Sequence, residues 1–176
     1  GFDGNGHVVV EYPNYRAEQI QKKQRESLAA FDRGKAKADA ALFMDTAKAS
    51  LKSIPENSNV LILRSARPWM IQNIIEAMNR YRKIRVDLLG QDIVTEELKS
   101  NPGVERVYSY GDGFFSPDTI EPYLIRQLSN KTYDYILLPM TNNHLESYRN
   151  VLNVAQLIRS KCILGVYPEG NIRTIQ

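Results

Sequence analysis

From Val60 onward, short apolar runs alternate with amphipathic stretches at the spacing of strand and helix units. Val60-Leu61-Ile62-Leu63 reads as a first strand, and the segment Trp69 to Tyr81 places Met70, Ile71, Ile74, Ile75 and Met78 on one helical face. Ile84 to Gly90 is a second strand. Asp92 to Ser100 is a short helix, ended by Asn101-Pro102-Gly103, where proline and glycine cannot prolong it. Val104 to Tyr110 is a third strand, followed by the Gly111-Asp112-Gly113 turn and a helix from Pro117 or Asp118 to Leu128. Tyr133 to Pro139, Leu145 to Arg159 and Lys161 to Tyr167 supply a fourth strand, a helix and a fifth strand.

Such alternation makes parallel strands with helical crossovers, because a chain returning to the same edge of a sheet needs a long connection. The runs Ile136-Leu137-Leu138 and Cys162-Ile163-Leu164 suit strands covered on both faces. The pattern predicts an α/β domain over 59–176, a doubly wound parallel five-stranded sheet. Residues 1–58 form a different section. His7 to Tyr12 is a short β segment stopped by Pro13, and residues 15–53 are rich in Ala, Lys, Gln, Glu and Arg, with Gly34 the weak point between two helices. Leu42-Phe43-Met44 needs apolar cover, so this N-terminal helical arm is expected to pack on the domain or on another chain, and homo-oligomerisation through the arm is a candidate role.

Hydrophobic residues are 43% and charged residues 24% of the chain, which excludes general disorder. The 23 basic and 20 acidic residues nearly cancel to +3. Lys22, Lys23, Arg25, Arg33, Lys35 and Lys37 in the arm are interleaved with Glu18, Glu26, Asp32 and Asp39, so a solvated face is expected rather than a nucleic-acid stripe. No run approaches the roughly 20 apolar residues of a membrane span. Cys162, the only cysteine, excludes an internal disulfide, sits in an apolar run that predicts a buried thiol, and suits a reducing cytoplasm. With two histidines and one cysteine, no metal site is expected, and no cofactor motif is present.

Several pieces in order bring a family to view: Val60-Leu61-Ile62-Leu63-Arg64, Ile84-Arg85-Val86-Asp87-Leu88-Leu89-Gly90, Asn101-Pro102-Gly103-Val104-Glu105-Arg106-Val107, Tyr133-Asp134-Tyr135-Ile136 and Ile163-Leu164-Gly165-Val166. Together they resemble the N-terminal Rossmann-like half of heptosyltransferase-type glycosyltransferases, the ADP-heptose and lipopolysaccharide group. The resemblance implies a Rossmann-like domain over 59–176, and a nucleotide sugar or sugar phosphate is a candidate ligand. It also implies two gaps. The family's first strand runs into a Gly-Asp loop whose aspartate is proposed as base, whereas the loop here is Ser65-Ala66-Arg67-Pro68-Trp69. The family's second domain, which binds the sugar nucleotide, has no counterpart in these residues.

In an open parallel sheet, ligands bind beyond the carboxyl ends of the strands where strand order reverses. The residues expected there are Arg64, Ser65 and Arg67, then Gln91 and Asp92, Asp112, the cluster Thr141-Asn142-Asn143-His144, and Tyr167 with Glu169. Ser65, Arg67, Thr141, Asn142, Asn143 and His144 are the candidate ligand contacts. Arg67 at a helix start suits a phosphate or carboxylate, or is an ordinary surface arginine. The polar cluster suits a sugar, or serves helix capping through Asn142 or Asn143. Of Phe114 and Phe115, one is expected in core contact. The reading that follows is a noncatalytic or incomplete glycosyltransferase-like binding or assembly module. The alternative is a small transferase taking a nucleotide or nucleotide sugar at the same edge.

Overall fold

The computed structural model describes residue 22 and residues 42–64, 68–79, 83–113 and 115–176. The chain divides into two compact units, Gly1–Asp39 and Ala40–Gln176. In the first, Lys22 is helical and exposed. The predicted β segment His7 to Tyr12 and the arm up to residue 41 otherwise lie outside the described residues.

The second unit opens with a helix over 42–51 (α1). There follow β1 (Asn59–Leu63), α2 (Pro68–Asn79), β2 (Arg85–Gly90), α3 (Asp92–Leu98), β3 (Val104–Ser109), α4 (Pro122–Leu128), β4 (Tyr133–Pro139), a 3-10 turn (Leu145–Tyr148), α5 (Arg149–Leu157), β5 (Ser160–Val166) and β6 (Ile172–Thr174). The sheet has the order β3-β2-β1-β4-β5-β6. The first five strands are all parallel. A sixth, which the apolar pattern does not announce, pairs antiparallel with β5 through Leu164 opposite Thr174 and Val166 opposite Ile172. Its three residues, Ile-Arg-Thr, are too few to show a period of two.

Alternation along the strands explains the burial of both faces. Val60 and Ile62 of β1 join one apolar cluster with Val86, Leu88, Leu137 and Leu164, while Leu61 and Leu63 join a second with Leu89, Ile136 and Leu138. The first cluster is closed by Phe43, Ala47 and Leu51 of α1, by the ridge Met70, Ile71, Ile74, Ile75 and Met78 of α2, and by Leu98 of α3. The second is closed by Leu124 and Leu128 of α4 and by Val151, Val154 and Ala155 of α5. Helices therefore cover both faces. Each large aliphatic side chain moved out of water in this way contributes roughly 1.5–3 kcal/mol, so the end of the helical arm is a working part of this core.

Two helices differ from the sequence pattern for local reasons. α4 starts at Pro122 rather than near Pro117, because Thr119 folds back on Ser116 through its amide (3.2 Å) and its hydroxyl (3.0 Å), and Pro122 with its fixed φ then opens the helix. The expected helix from Leu145 to Arg159 is broken at Tyr148, whose φ of −111° and ψ of 17° separate the 3-10 turn from α5. Cys162 is half-buried rather than enclosed.

The amino edge is fastened by Asp134. The Asn59 amide donates to its Oδ2 at 2.8 Å and Lys161 Nζ lies 3.1 Å from Oδ1, which ties together the starts of β1, β4 and β5. The Asn59 amide, and secondarily Lys161, hold this carboxyl below its ordinary value of 3.8, against the opposing effect of partial burial. A depressed folded value means that the stabilisation is present above the unfolded value and is lost as the pH falls below it. In urea titrations at pH 7 and pH 3, Asp134→Asn is expected to narrow the stability difference between the two conditions. An undiminished difference would show that other carboxylates carry the acid sensitivity.

Candidate functional site

The strand order places β1 and β4 side by side in parallel, with Val60 opposite Tyr135 and Ile62 opposite Leu137, and sends the chain to opposite sides from this pair. The loops after β1 and after β4 leave neighbouring points of the carboxyl edge. This is the reversal point at which parallel sheets leave an open crevice.

On the β1 side, Arg64 is the first residue beyond the strand, and its amide donates to Leu89 O of β2 at 2.8 Å. Its side chain lies over Gly90: a Cβ placed there would stand 3.0 Å from Arg64 Cβ and 3.7 Å from its Cγ. Arg64 Nε is buried and has no hydrogen-bond partner among the described residues. Burial lowers the affinity of the guanidinium for its proton, partly offset by the fields of Glu97 and Tyr110. Ser65 and Arg67 lie outside the described residues.

The next two loops hold each other. Asp92 Oδ1 accepts from the Ser109 hydroxyl and, at 3.2 Å, from the Gly111 amide, while the Asp92 amide donates to Gly111 O. Gln91 Nε2 and the Tyr110 hydroxyl both donate to Gly113 O, at 2.7 and 2.8 Å. Burial pushes the Tyr110 phenol above its ordinary value, against the opposing hydrogen bond from Gln91. Phe115 is half-buried, meets Tyr110 edge to face at 5.2 Å between ring centres and packs on the second apolar cluster, while Phe114 lies outside the described residues.

On the β4 side, the structure brings Thr141, Asn142, Asn143 and His144 into one turn. Thr141 donates its amide to the Tyr148 hydroxyl at 2.6 Å, and its Oγ1 lies 2.8 Å from the same oxygen. Asn142 Oδ1 accepts the His144 amide at 2.8 Å. Asn143 Nδ2 donates to Glu169 Oε1 at 3.3 Å, joining this loop to the one after β5. His144 occupies the cap position of the 3-10 turn with no side-chain cap bond, so neither asparagine closes a helix end in the expected manner. Asn143, His144 and Thr141 are exposed, which leaves polar groups at the edge facing solvent.

Tyr148 escaped sequence reasoning, because it sits seven residues downstream at an unremarkable helical position and reaches back only through the 3-10 turn. Arg64 had a signal: a cation directly after an apolar strand at the edge expected to bind ligand. Among the described residues, no group of three or more His, Cys, Asp or Glu is arranged to hold a metal ion. No helix among them is long and apolar enough to cross a membrane. No family model matches the chain, and no curated protein matches it.

Proposed function

We propose that this chain is a noncatalytic or incomplete glycosyltransferase-like binding or assembly module, a Rossmann-like doubly wound domain of a larger protein or an oligomer, with a nucleotide sugar or sugar phosphate as the candidate ligand at its carboxyl edge. The observation that carries the reading is the reversal of strand order between β1 and β4, with helices on both faces of the sheet. The ordered succession of strand pieces, which resembles the N-terminal half of heptosyltransferase-type enzymes, makes a nucleotide sugar or sugar phosphate the ligand to test. The Ser65-Ala66-Arg67-Pro68-Trp69 loop, which lacks the family's Gly-Asp pair, supports binding without transfer. The helical arm is the element through which such a module would assemble with a second copy. A reducing cytoplasm fits its single unpaired cysteine.

A thermal-shift titration of the purified chain against nucleotides, nucleotide sugars and sugar phosphates tests the reading, since a ligand that binds only the native state raises apparent stability. The expected result is a saturable rise with one nucleotide sugar or sugar phosphate and no sugar transfer or hydrolysis by the chain alone. Turnover would overturn the noncatalytic assignment in favour of a small transferase. A flat response across the panel would overturn the ligand assignment.

A further inference from the structure

We propose that Arg64 is the oxyanion-recognition residue of the carboxyl edge, and that the ligand presents a phosphate or a carboxylate to it. The inference rests on the proposed binding role of that edge and adds the chemistry the ligand must bring. Two independent features of the described residues carry it.

The first is an unfilled donor. Arg64 Nε is buried and finds no acceptor among the described residues. A buried N–H normally has a partner, since leaving one unmade forfeits the water it had in the unfolded chain, and charged donors lose the most. Glu97 acts on Arg64 through its field. A guanidinium cannot accept a hydrogen bond and does not shed its proton under ordinary conditions, so what completes it must be an acceptor, and an anionic oxygen is favoured.

The second feature is the space that holds the side chain in place. Gly90 ends β2 beside Arg64, and a methyl group at that position would meet Arg64 Cβ at 3.0 Å, Thr95 Cγ2 at 3.5 Å and Arg64 Cγ at 3.7 Å. The absence of a side chain at the end of β2 lets the arginine stem lie against the strand. Thr95, on which that methyl would also press, is itself fixed, its hydroxyl sharing one proton between Gln91 O and Asp92 O, both at 3.0 Å. The cation is thus carried on a seated stem at the end of a central strand, unlike a surface arginine with free rotamers. The planar fork suits two oxygens of one group, which both phosphate and carboxylate offer.

The test uses the full chain and three matched probes: a hexose 1-phosphate, a hexuronic acid and the neutral hexose, titrated by calorimetry at low and moderate salt. A charge-assisted hydrogen bond predicts that at least one anionic probe binds about tenfold or more tightly than the neutral sugar, with a preference that weakens as salt rises. Arg64→Gln is expected to abolish that preference while leaving the affinity for neutral hexose within about twofold, and Arg64→Lys to keep only part of it. Gly90→Ala provides a second route that leaves the charge intact: by displacing the stem it should weaken the anionic probes several-fold. The phosphate and uronate arms identify which oxyanion is recognised. Neutral hexose binding with no anionic preference, or a preference unchanged in folded Arg64→Gln, would overturn the role of Arg64 and leave the binding module standing. Failure of all three probes would overturn both.

Discussion

Gly170→Ala is expected to be among the most damaging single-methyl additions in the domain. Gly170 lies in the turn between β5 and β6 with φ of +92°, and an added Cβ would stand 2.5 Å from Phe43 O, 2.8 Å from Ala47 N and 3.0 Å from Thr46 Cβ. The first two atoms are backbone of α1, so no side-chain rotation relieves the clash. The left-handed conformation costs an alanine about 1–2 kcal/mol and overpacking against fixed atoms about 1–3 kcal/mol more, for a loss of roughly 3 kcal/mol or above. Gly111→Ala is the control: its φ is +97° but nothing lies within 4 Å of the added atom, so only the backbone cost of about 1–2 kcal/mol applies. Denaturant unfolding of the two variants separates strain from collision. The fluorescence of Trp69, whose ring meets Phe43 edge to face at 5.8 Å, should change in Gly170→Ala alone. Equal losses in the two variants would show that α1 does not press on this turn.

A second large effect is expected from Lys131→Met, although that side chain is 36% exposed. Its Nζ lies 2.8 Å from Asp87 Oδ2, and Asp87 is fully buried in the middle of β2. The same oxygen accepts the Tyr133 hydroxyl at 2.7 Å, and Oδ1 is buried with no partner among the described residues. Burial, followed by the bond to Asp87, pushes the Tyr133 phenol far above its ordinary value, so it remains a hydrogen-bond donor throughout the physiological range. Without the lysine, the carboxylate inside the apolar layer keeps one phenol hydrogen bond and only the field of the exposed Arg106 guanidinium. Breaking a buried pair costs about 3–5 kcal/mol, and partial solvent access to the ammonium reduces this to roughly 2–3 kcal/mol. Asp87→Asn keeps an acceptor for Tyr133 and removes the charge, so the double variant Asp87→Asn with Lys131→Met should regain most of the loss. A Lys131→Met variant within about 0.5 kcal/mol of the parent, the range of ordinary surface substitutions, would show that the pair contributes little.

The two effects lie on different faces of the same sheet. Gly170 works through α1 and the first apolar cluster, whereas Asp87 shares its face with Leu89 and reaches Tyr133 of the second. Their losses should add when combined, since no side chain is shared between them.

The sequence by itself determined the strand and helix alternation, because apolar periodicity is a local property: the four-residue run at Val60, the ridge from Met70 to Met78 and the run Ile136 to Leu138 each declare their state within a dozen residues. It also indicated which loops reach the carboxyl edge, since parallel strands all deliver their following loops to one side. Only the tertiary structure decided the strand order, the sixth strand and the seating of α1, because those depend on contacts between residues far apart in the chain, such as Gly170 with Phe43 and Leu164 with Thr174. The site divides in the same way. Thr141 to His144 are visible as a polar cluster after a strand, but Tyr148 as the anchor of Thr141 and Glu169 as the partner of Asn143 come from side chains meeting across loops. Asp87 is the clearest case: within its run it is one polar residue among apolar ones, and whether it is a defect or a paired charge is settled by Lys131 and Tyr133, more than forty positions away. Hydrophobic spacing is written into neighbouring residues, whereas hydrogen-bond and charge satisfaction belongs to whichever groups the fold brings within 3 Å.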